Sequence, residues 1–241
     1  MNAEEPVIQI AGLTKQFGGL RPLRIAALSV GGHQRVAITG VDGPGAAALV
    51  NLVTGASLPD AGQITVFGQA TSAIGNADEW LAALDRFGLV SSRAVLVDDL
   101  SLAANIATAF TLSIDPIPDY VLTQVRQLAV EVDLPIDRFD TRTGDLDAAL
   151  RARCHLARAL ASGPQVLVLE HANVLAANHA LAFGRAIAAV ARRRRLPLLA
   201  LTADEGFARV VAERVLRLDP ASGQWLADSR WRRFLNALTR K

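Results

Sequence analysis

The stretch Arg35-Val36-Ala37-Ile38-Thr39-Gly40-Val41-Asp42-Gly43-Pro44-Gly45-Ala46-Ala47-Ala48, running on through Leu49 to Gly55, decides how this chain folds. Its first five residues read as a short buried strand. A glycine loop follows at once, and Ala46 to Thr54 then has a helical pattern ended by Gly55, which suits the left-handed position after a helix. Strand, glycine loop and helix together aim backbone N–H groups at an anion, because the first N–H groups of a helix lack partners and its dipole is positive there. Gly40 and Gly45 have the spacing of a phosphate-binding loop, G-x-x-x-x-G-K-[ST]. The lysine position holds Ala46 and the hydroxyl position Ala47, with Ala48 beyond. Pro44 removes one backbone donor as well. Lys15 and Lys241 are the only lysines, so no slip of register supplies the charge. Losing the lysine and the metal-binding hydroxyl costs ~1.5 to 3 kcal/mol each, which lowers affinity for a nucleoside triphosphate by ~10² to 10⁴. Taken alone, the loop reads equally well as a strand-to-helix turn with no ligand.

On either side the pattern alternates. Val7 to Ile10 and Leu23 to Val30 read as half-buried strands, and Pro59-Asp60-Ala61-Gly62 is a turn into a strand at Gln63 to Phe67. From about Val90 to Leu146 helical patterns dominate, with Val121, Val125, Leu128 and Val132 on one face. A helix then spans Leu146 to Leu160, an apolar strand Val166 to Leu169 ends in Glu170-His171, a helix covers His179 to Arg195, and a buried strand covers Pro197 to Thr202. Strands alternating with helices predict an α/β fold with a mainly parallel sheet covered on both faces. The expected layout is one domain over 1–241, with a core lobe from 1–89 and 147–241, an antiparallel N-terminal part, and an inserted helical lobe at 90–146.

Composition narrows the classes further. With 241 residues, 51% apolar and 20% charged, the chain can bury a sizeable core, which excludes disordered and collagen-like classes. The single cysteine, Cys154, excludes an internal disulfide and reads as a small core residue. The acidic start MNAEEP lacks a secretory pattern, so the expected compartment is the cytosol. Apolar stretches such as Val166 to Leu169 and Leu196 to Leu201 fall far short of a bilayer span, so membrane association is expected only through a partner. Basic residues cluster at Arg192 to Arg195 and at Arg230, Arg232, Arg233, Arg240 and Lys241. The first cluster reads either as a nucleic-acid or anionic-lipid contact or, preferably, as a solvated helix end complementing the dipole. His33 and His179 show no metal-ligand spacing.

Beyond the loop, Leu52 to Gly68 (LVTGASLPDAGQITVFG) and His155 to Glu170 (HLARALASGPQVLVLE), with Leu13 to Gly19 near the start, resemble ATP-binding cassette (ABC) ATPases in order and spacing over nearly the whole chain. The FGGL run, Phe17 to Leu20, is reminiscent of branched-chain amino-acid importers but is too short to name a substrate. The resemblance implies a P-loop NTPase-like fold, partnership with transmembrane permease subunits, and a homodimer or heterodimer with another ABC subunit. It places the chain on the cytoplasmic face of a membrane through the permease, with the helical lobe against it.

Carried over by position, the resemblance puts Phe17 where an aromatic ring stacks on adenine and Gly40, Asp42, Gly43, Gly45, Ala46, Ala47 and Ala48 around the phosphates. Ser92 stands at the Q-loop glutamine, and Leu146-Asp147-Ala148-Ala149-Leu150 at the LSGGQ signature. Glu170 stands at the Walker B aspartate, His171 at the catalytic glutamate, Ala177 at the D-loop aspartate and Ala203 at the switch histidine. The expectation is a pseudo-ATPase: a cassette with altered nucleotide motifs in a structural or regulatory role. No cofactor is assigned; ATP and Mg²⁺ enter only if nucleotide binding is retained. Glu170 as metal ligand and His171 as base leave open a slow ATPase with a rebuilt site. Equally, Glu170 can pair with a nearby arginine and His171 can hydrogen-bond backbone at the strand end. A nucleic-acid-binding module using Arg192 to Arg195 is the third reading, and nucleic acid is the least favoured partner.

Overall fold

A computed structural model describes residues 5–226 of the chain. The C-terminal basic group therefore lies outside the described residues. Strands β1 (Ile8–Lys15) and β2 (Leu23–Val30) pair antiparallel, followed by β3 (Arg35–Thr39) and helix α1 (Gly43–Val53). Next come β4 (Ala61–Val66), β5 (Gln69–Ala70), α2 (Ala77–Leu84) and β6 (Phe87–Ser91). Helices α3 (Leu102–Ala107), α4 (Asp119–Glu131) and α5 (Ala148–Leu160) lead to β7 (Val166–Glu170). The chain continues through α6 (Ala180–Arg194), β8 (Leu198–Leu201), α7 (Glu205–Val211), β9 (Arg214–Leu218) and β10 (Trp225–Leu226).

These strands form two sheets, one antiparallel in the order β2-β1-β4-β5 and one in the order β10-β9-β3-β8-β7-β6. In the second, every pairing is parallel except that of β9 with the edge strand β10. The period-2 alternation of its central strands divides the interior. Val36, Ile38, Val166, Val168, Leu199 and Leu201 face α1 and the antiparallel sheet, while Ala37, Leu167, Leu169, Leu198 and Ala200 face the other helices. Helix α1 is thus packed between two sheets, and the loop before it is held at the carboxyl edge of the parallel one.

Several elements differ from the sequence reading. Strand β6 was not expected because Gly88 interrupts its apolar run, but a Cβ there would lie 2.6 Å from Leu167 Cδ2 and 2.7 Å from the Ala159 carbonyl. Glycine is what lets β6 sit so close to α5. Residues 90 and 91 therefore belong to the parallel sheet. The helix expected over His179 to Arg195 starts at Ala180; before it, Ala172–His179 is a 3₁₀ segment broken at Ala177, whose φ of 45° and ψ of −121° are not helical. The span Ala172–Arg194 is long and apolar enough to cross a bilayer by length and composition alone. Here Phe183, Ile187, Val190 and Ala191 are core residues, so one face of the helix packs on the domain interior. The expected face of α4 is borne out: Val121, Val125, Leu128 and Val132 are all buried.

Candidate functional site at the loop before α1

Gly40 leaves β3 with φ +85°, and a Cβ on it would lie 2.5 Å from the Leu218 carbonyl oxygen of the neighbouring β9. Only glycine fits that turn. Asp42 is the N-cap of α1: its carboxylate oxygen Oδ1 accepts the Gly45 N–H at 2.8 Å, and its carbonyl accepts the Ala46 N–H at 2.8 Å. A carboxylate at this end is favoured by the helix dipole and satisfies a donor that would otherwise face an anion. A Cβ on Gly45 would collide with that same oxygen at 2.8 Å. Gly43 opens the helix with free space beside it, and Pro44 fits the first turn, where its missing N–H costs nothing.

Ala46 is fully buried in the floor beneath the loop, and Ala47 and Ala48 are half-buried. Among the described residues no lysine stands in: Lys15 Nζ bonds Asp60 Oδ1 at 2.9 Å, and the Gln16 N–H donates to Asp60 Oδ2 at 2.6 Å. The backbone N–H of Gln16, then Lys15, hold the Asp60 carboxyl below its ordinary range. Phe17 packs partly buried on the core and, with Arg21, Pro22, Asp42 and Leu218, lines a cavity of about 270 Å³ against the loop.

Two strands away, the carboxylate of Glu170 is 2% exposed at the carboxyl end of β7. Its Oε2 accepts from Ser91 Oγ at 2.7 Å, Arg93 Nε at 2.9 Å and Arg93 Nη2 at 2.8 Å. The pairing with an arginine, one of two readings of Glu170, is the one observed. Sequence reasoning missed Ser91 and Arg93. The register supplies the signal, since Ser91 is paired with Glu170 across β6 and β7, but it is visible only once β6 is recognised. Ser92 itself is exposed, and its N–H donates to the Glu170 carbonyl at 3.3 Å.

His171 takes a left-handed φ of 47°, and its ring atom Nε2 is buried without a hydrogen-bond partner. Nε2 therefore makes no backbone bond of the kind one reading of His171 offered, and the main-chain N–H of His171 donates to the Leu201 carbonyl at 2.9 Å. Asp147 caps α5, its Oδ1 accepting the Leu150 N–H at 2.8 Å. The helix expected from Leu146 accordingly begins at Ala148. Leu146 is buried, and Ala148, Ala149 and Leu150 form the half-buried first turn. Ala203 is exposed just after β8. Among the described residues, no group of three or more His, Cys, Asp and Glu could hold a metal ion.

Residues 23–173, more than half the chain, match the family described as ABC transporter. The chain belongs to the ABC transporter family. A ribose import ATP-binding protein RbsA 1 of Mesorhizobium japonicum is 30% identical over 181 residues, covering 71% of this chain and 33% of the relative. An Fe(3+) ions import ATP-binding protein FbpC of Serratia marcescens is 26% identical over 215 residues, covering 86% and 59%. The ABC chain thus spans between about a third and three fifths of these relatives' lengths. Among solved structures, cbiO1 from Clostridium perfringens, part of the transporter complex cbiONQ, superposes with a TM-score of 0.73 at 16% identity, covering 93% of this chain and 88% of that one. A dimeric bacterial ABC transporter cassette, MJ0796, gives a TM-score of 0.71 at 17% identity, covering 88% and 94%. These two establish the cassette fold.

The remaining polar features are structural. Cys154 is buried, which pushes its thiol up to about 12. Of the arginine cluster, Arg194 bonds both oxygens of Glu131 on α4 at 2.7 and 2.5 Å, and Arg193 donates to the Glu131 carbonyl at 3.0 Å. Half of that cluster therefore pins α4 to the end of α6.

Proposed function

We propose that this ABC chain is a transport-complex subunit with degenerate nucleotide motifs, a structural or regulatory partner of membrane permease subunits with weak or no ATP hydrolysis. It works on the cytoplasmic face of a membrane, held there through the permease, and pairs with a second cassette, its own or another. A magnesium nucleotide fits these residues poorly. The single observation that carries the reading is that the loop has no lysine: Ala46 is buried where a lysine would reach phosphate, and Asp42 places a carboxylate on the Gly45 N–H. An anionic phosphate arriving there meets a like charge and a donor already taken.

Two further features support it. Asp147 and the Cβ atoms of Ala148 and Ala149 occupy the signature-equivalent turn, so a partner's nucleotide would meet negative charge and added bulk. The names of the relatives, import ATP-binding proteins, support a place beside a permease. The test is calorimetric titration of ATP into the chain together with its associated membrane subunits and into the chain alone. Millimolar or undetectable binding is expected for the isolated chain, and a micromolar dissociation constant there overturns the reading. Failure to co-purify with any permease from its native membrane removes the transport role separately.

One observation favours a second reading. The unpartnered Nε2 of His171 could accept a proton, as the base of a slow, rebuilt ATPase. That reading requires Mg²⁺-dependent phosphate release that His171→Ala abolishes, and release at background level in the unaltered protein with its partners present eliminates it.

A further inference from the structure

A carboxylate buried at the end of a central strand must be neutralised or paired. Glu170 is paired with unusual economy: three donors from two residues converge on the single oxygen Oε2. The hydroxyl of Ser91 is itself oriented, because its oxygen accepts the Arg93 N–H at 3.0 Å while it donates to the carboxylate. Register fixes the arrangement: Ser91 lies opposite Glu170 in the parallel pair β6 and β7, and Arg93, two residues on, turns its guanidinium back over the strand end. Carboxylate and hydroxyl oxygens side by side are the hard donors that a divalent cation selects. Here a guanidinium, always protonated and about half exposed, takes that place.

We propose that Arg93 is a built-in cation that substitutes for a divalent metal ion at Glu170, so that this site neither needs nor admits Mg²⁺. The inference goes beyond the proposed function, because it concerns the strand end whether or not the loop before α1 binds nucleotide.

The probe is Mn²⁺, followed by the loss of its free electron paramagnetic resonance signal and by thermal unfolding in Mn²⁺ against EDTA. The full chain is expected to leave millimolar Mn²⁺ free and to melt at the same temperature in both. Arg93→Ala uncovers the carboxylate: its melting temperature falls, Mn²⁺ binds, and Mn²⁺ restores about 3 to 6 °C. Arg93→Ala combined with Glu170→Gln melts higher than Arg93→Ala in EDTA and no longer responds to Mn²⁺. Should alanine prevent folding, Arg93→Gln keeps an amide donor on Glu170 and is read in the same way. The proposal is overturned if the unaltered chain binds Mn²⁺ as tightly as the Arg93 variant and loses it with Glu170→Gln, or if a folded Arg93 variant gains no Mn²⁺ binding. Micromolar ATP binding with no Mn²⁺ response would sink the proposed function alone, whereas Mn²⁺ binding without ATP binding would sink this inference alone.

Discussion

Restoring the missing lysine to the loop is the sharpest perturbation of the nucleotide reading. Ala46→Lys places an ammonium on a residue whose side chain is fully buried beneath the loop, so the new chain must rise along the first turn of α1 toward the cavity lined by Phe17 and Asp42. A charge-assisted bond to phosphate contributes ~1.5 to 3 kcal/mol, which raises triphosphate affinity by ~10 to 150-fold. Asp42 works against it. With like charges about 8 Å apart and an effective dielectric of about 20, the repulsion is ~2 kcal/mol, and salt screening of an exposed carboxylate leaves roughly half. Asp42→Asn retains a good N-cap for the Gly45 N–H and should therefore add about fivefold to the gain.

Ala47→Ser is expected to add nothing while Arg93 covers Glu170, since a hydroxyl at that position acts through a metal ion. Calorimetry with ATP, in Mg²⁺ and again in EDTA, measures all three variants, and their melting temperatures report whether Ala46→Lys has strained the floor. If Ala46→Lys leaves a well-folded protein with unchanged affinity, the absence of lysine is not what weakens the loop and the reasoning fails.

Three further outcomes follow from the packing. Burial, then Arg158 and Arg151, lower the His155 imidazole to about 4 from an ordinary 6.5; the unfolded chain therefore takes up a proton first, so stability is full above pH 6.5 and falls as the pH drops toward 4. Urea midpoints across that window should show this loss, and His155→Gln should flatten it. Asn105 is buried, with Oδ1 accepting the Val97 N–H and Nδ2 donating to Val97, Leu100 and Ser101 carbonyls and to Thr143 Oγ1, so Asn105→Ala should destabilise by about 3 kcal/mol in denaturant melts and speed amide exchange over 97–101. Gly88→Ala should cost about 2 to 3 kcal/mol in the same melts, because the Ala159 carbonyl cannot yield to the new Cβ.

The parallel core was legible where local pattern and tertiary role agree. Arg35 to Thr39, Val166 to Leu169 and Pro197 to Thr202 are apolar runs because both faces of their sheet are covered, and they lie side by side as β3, β7 and β8. Strand β6 was hidden because Gly88 answers to a neighbour 79 residues away in sequence, Leu167, and not to its own segment. Helix α2 was not read from the sequence; it is only eight residues long and buries none of them. The loop could be placed from its glycine spacing, but the capping role of Asp42 and the partners of Glu170 could not, since the first shows only in the hydrogen bond to Gly45 and the second depend on the register of β6.

The two carboxylates of the site share a logic that their sequence positions conceal. Asp42 supplies negative charge at the amino end of α1, where a phosphate would otherwise collect unpaired N–H groups, and Arg93 supplies positive charge at Glu170, where a metal ion would otherwise balance a buried carboxylate. Each internal group satisfies a requirement that the fold creates regardless of ligand, because a helix start and a strand-end carboxylate must find partners in order to be stable. A chain relying on bound nucleotide and metal for those partners would gain stability from them by mass action. One that carries its own partners can hold the cassette shape without them, and a shape held in that way suits a subunit whose task is to be docked upon.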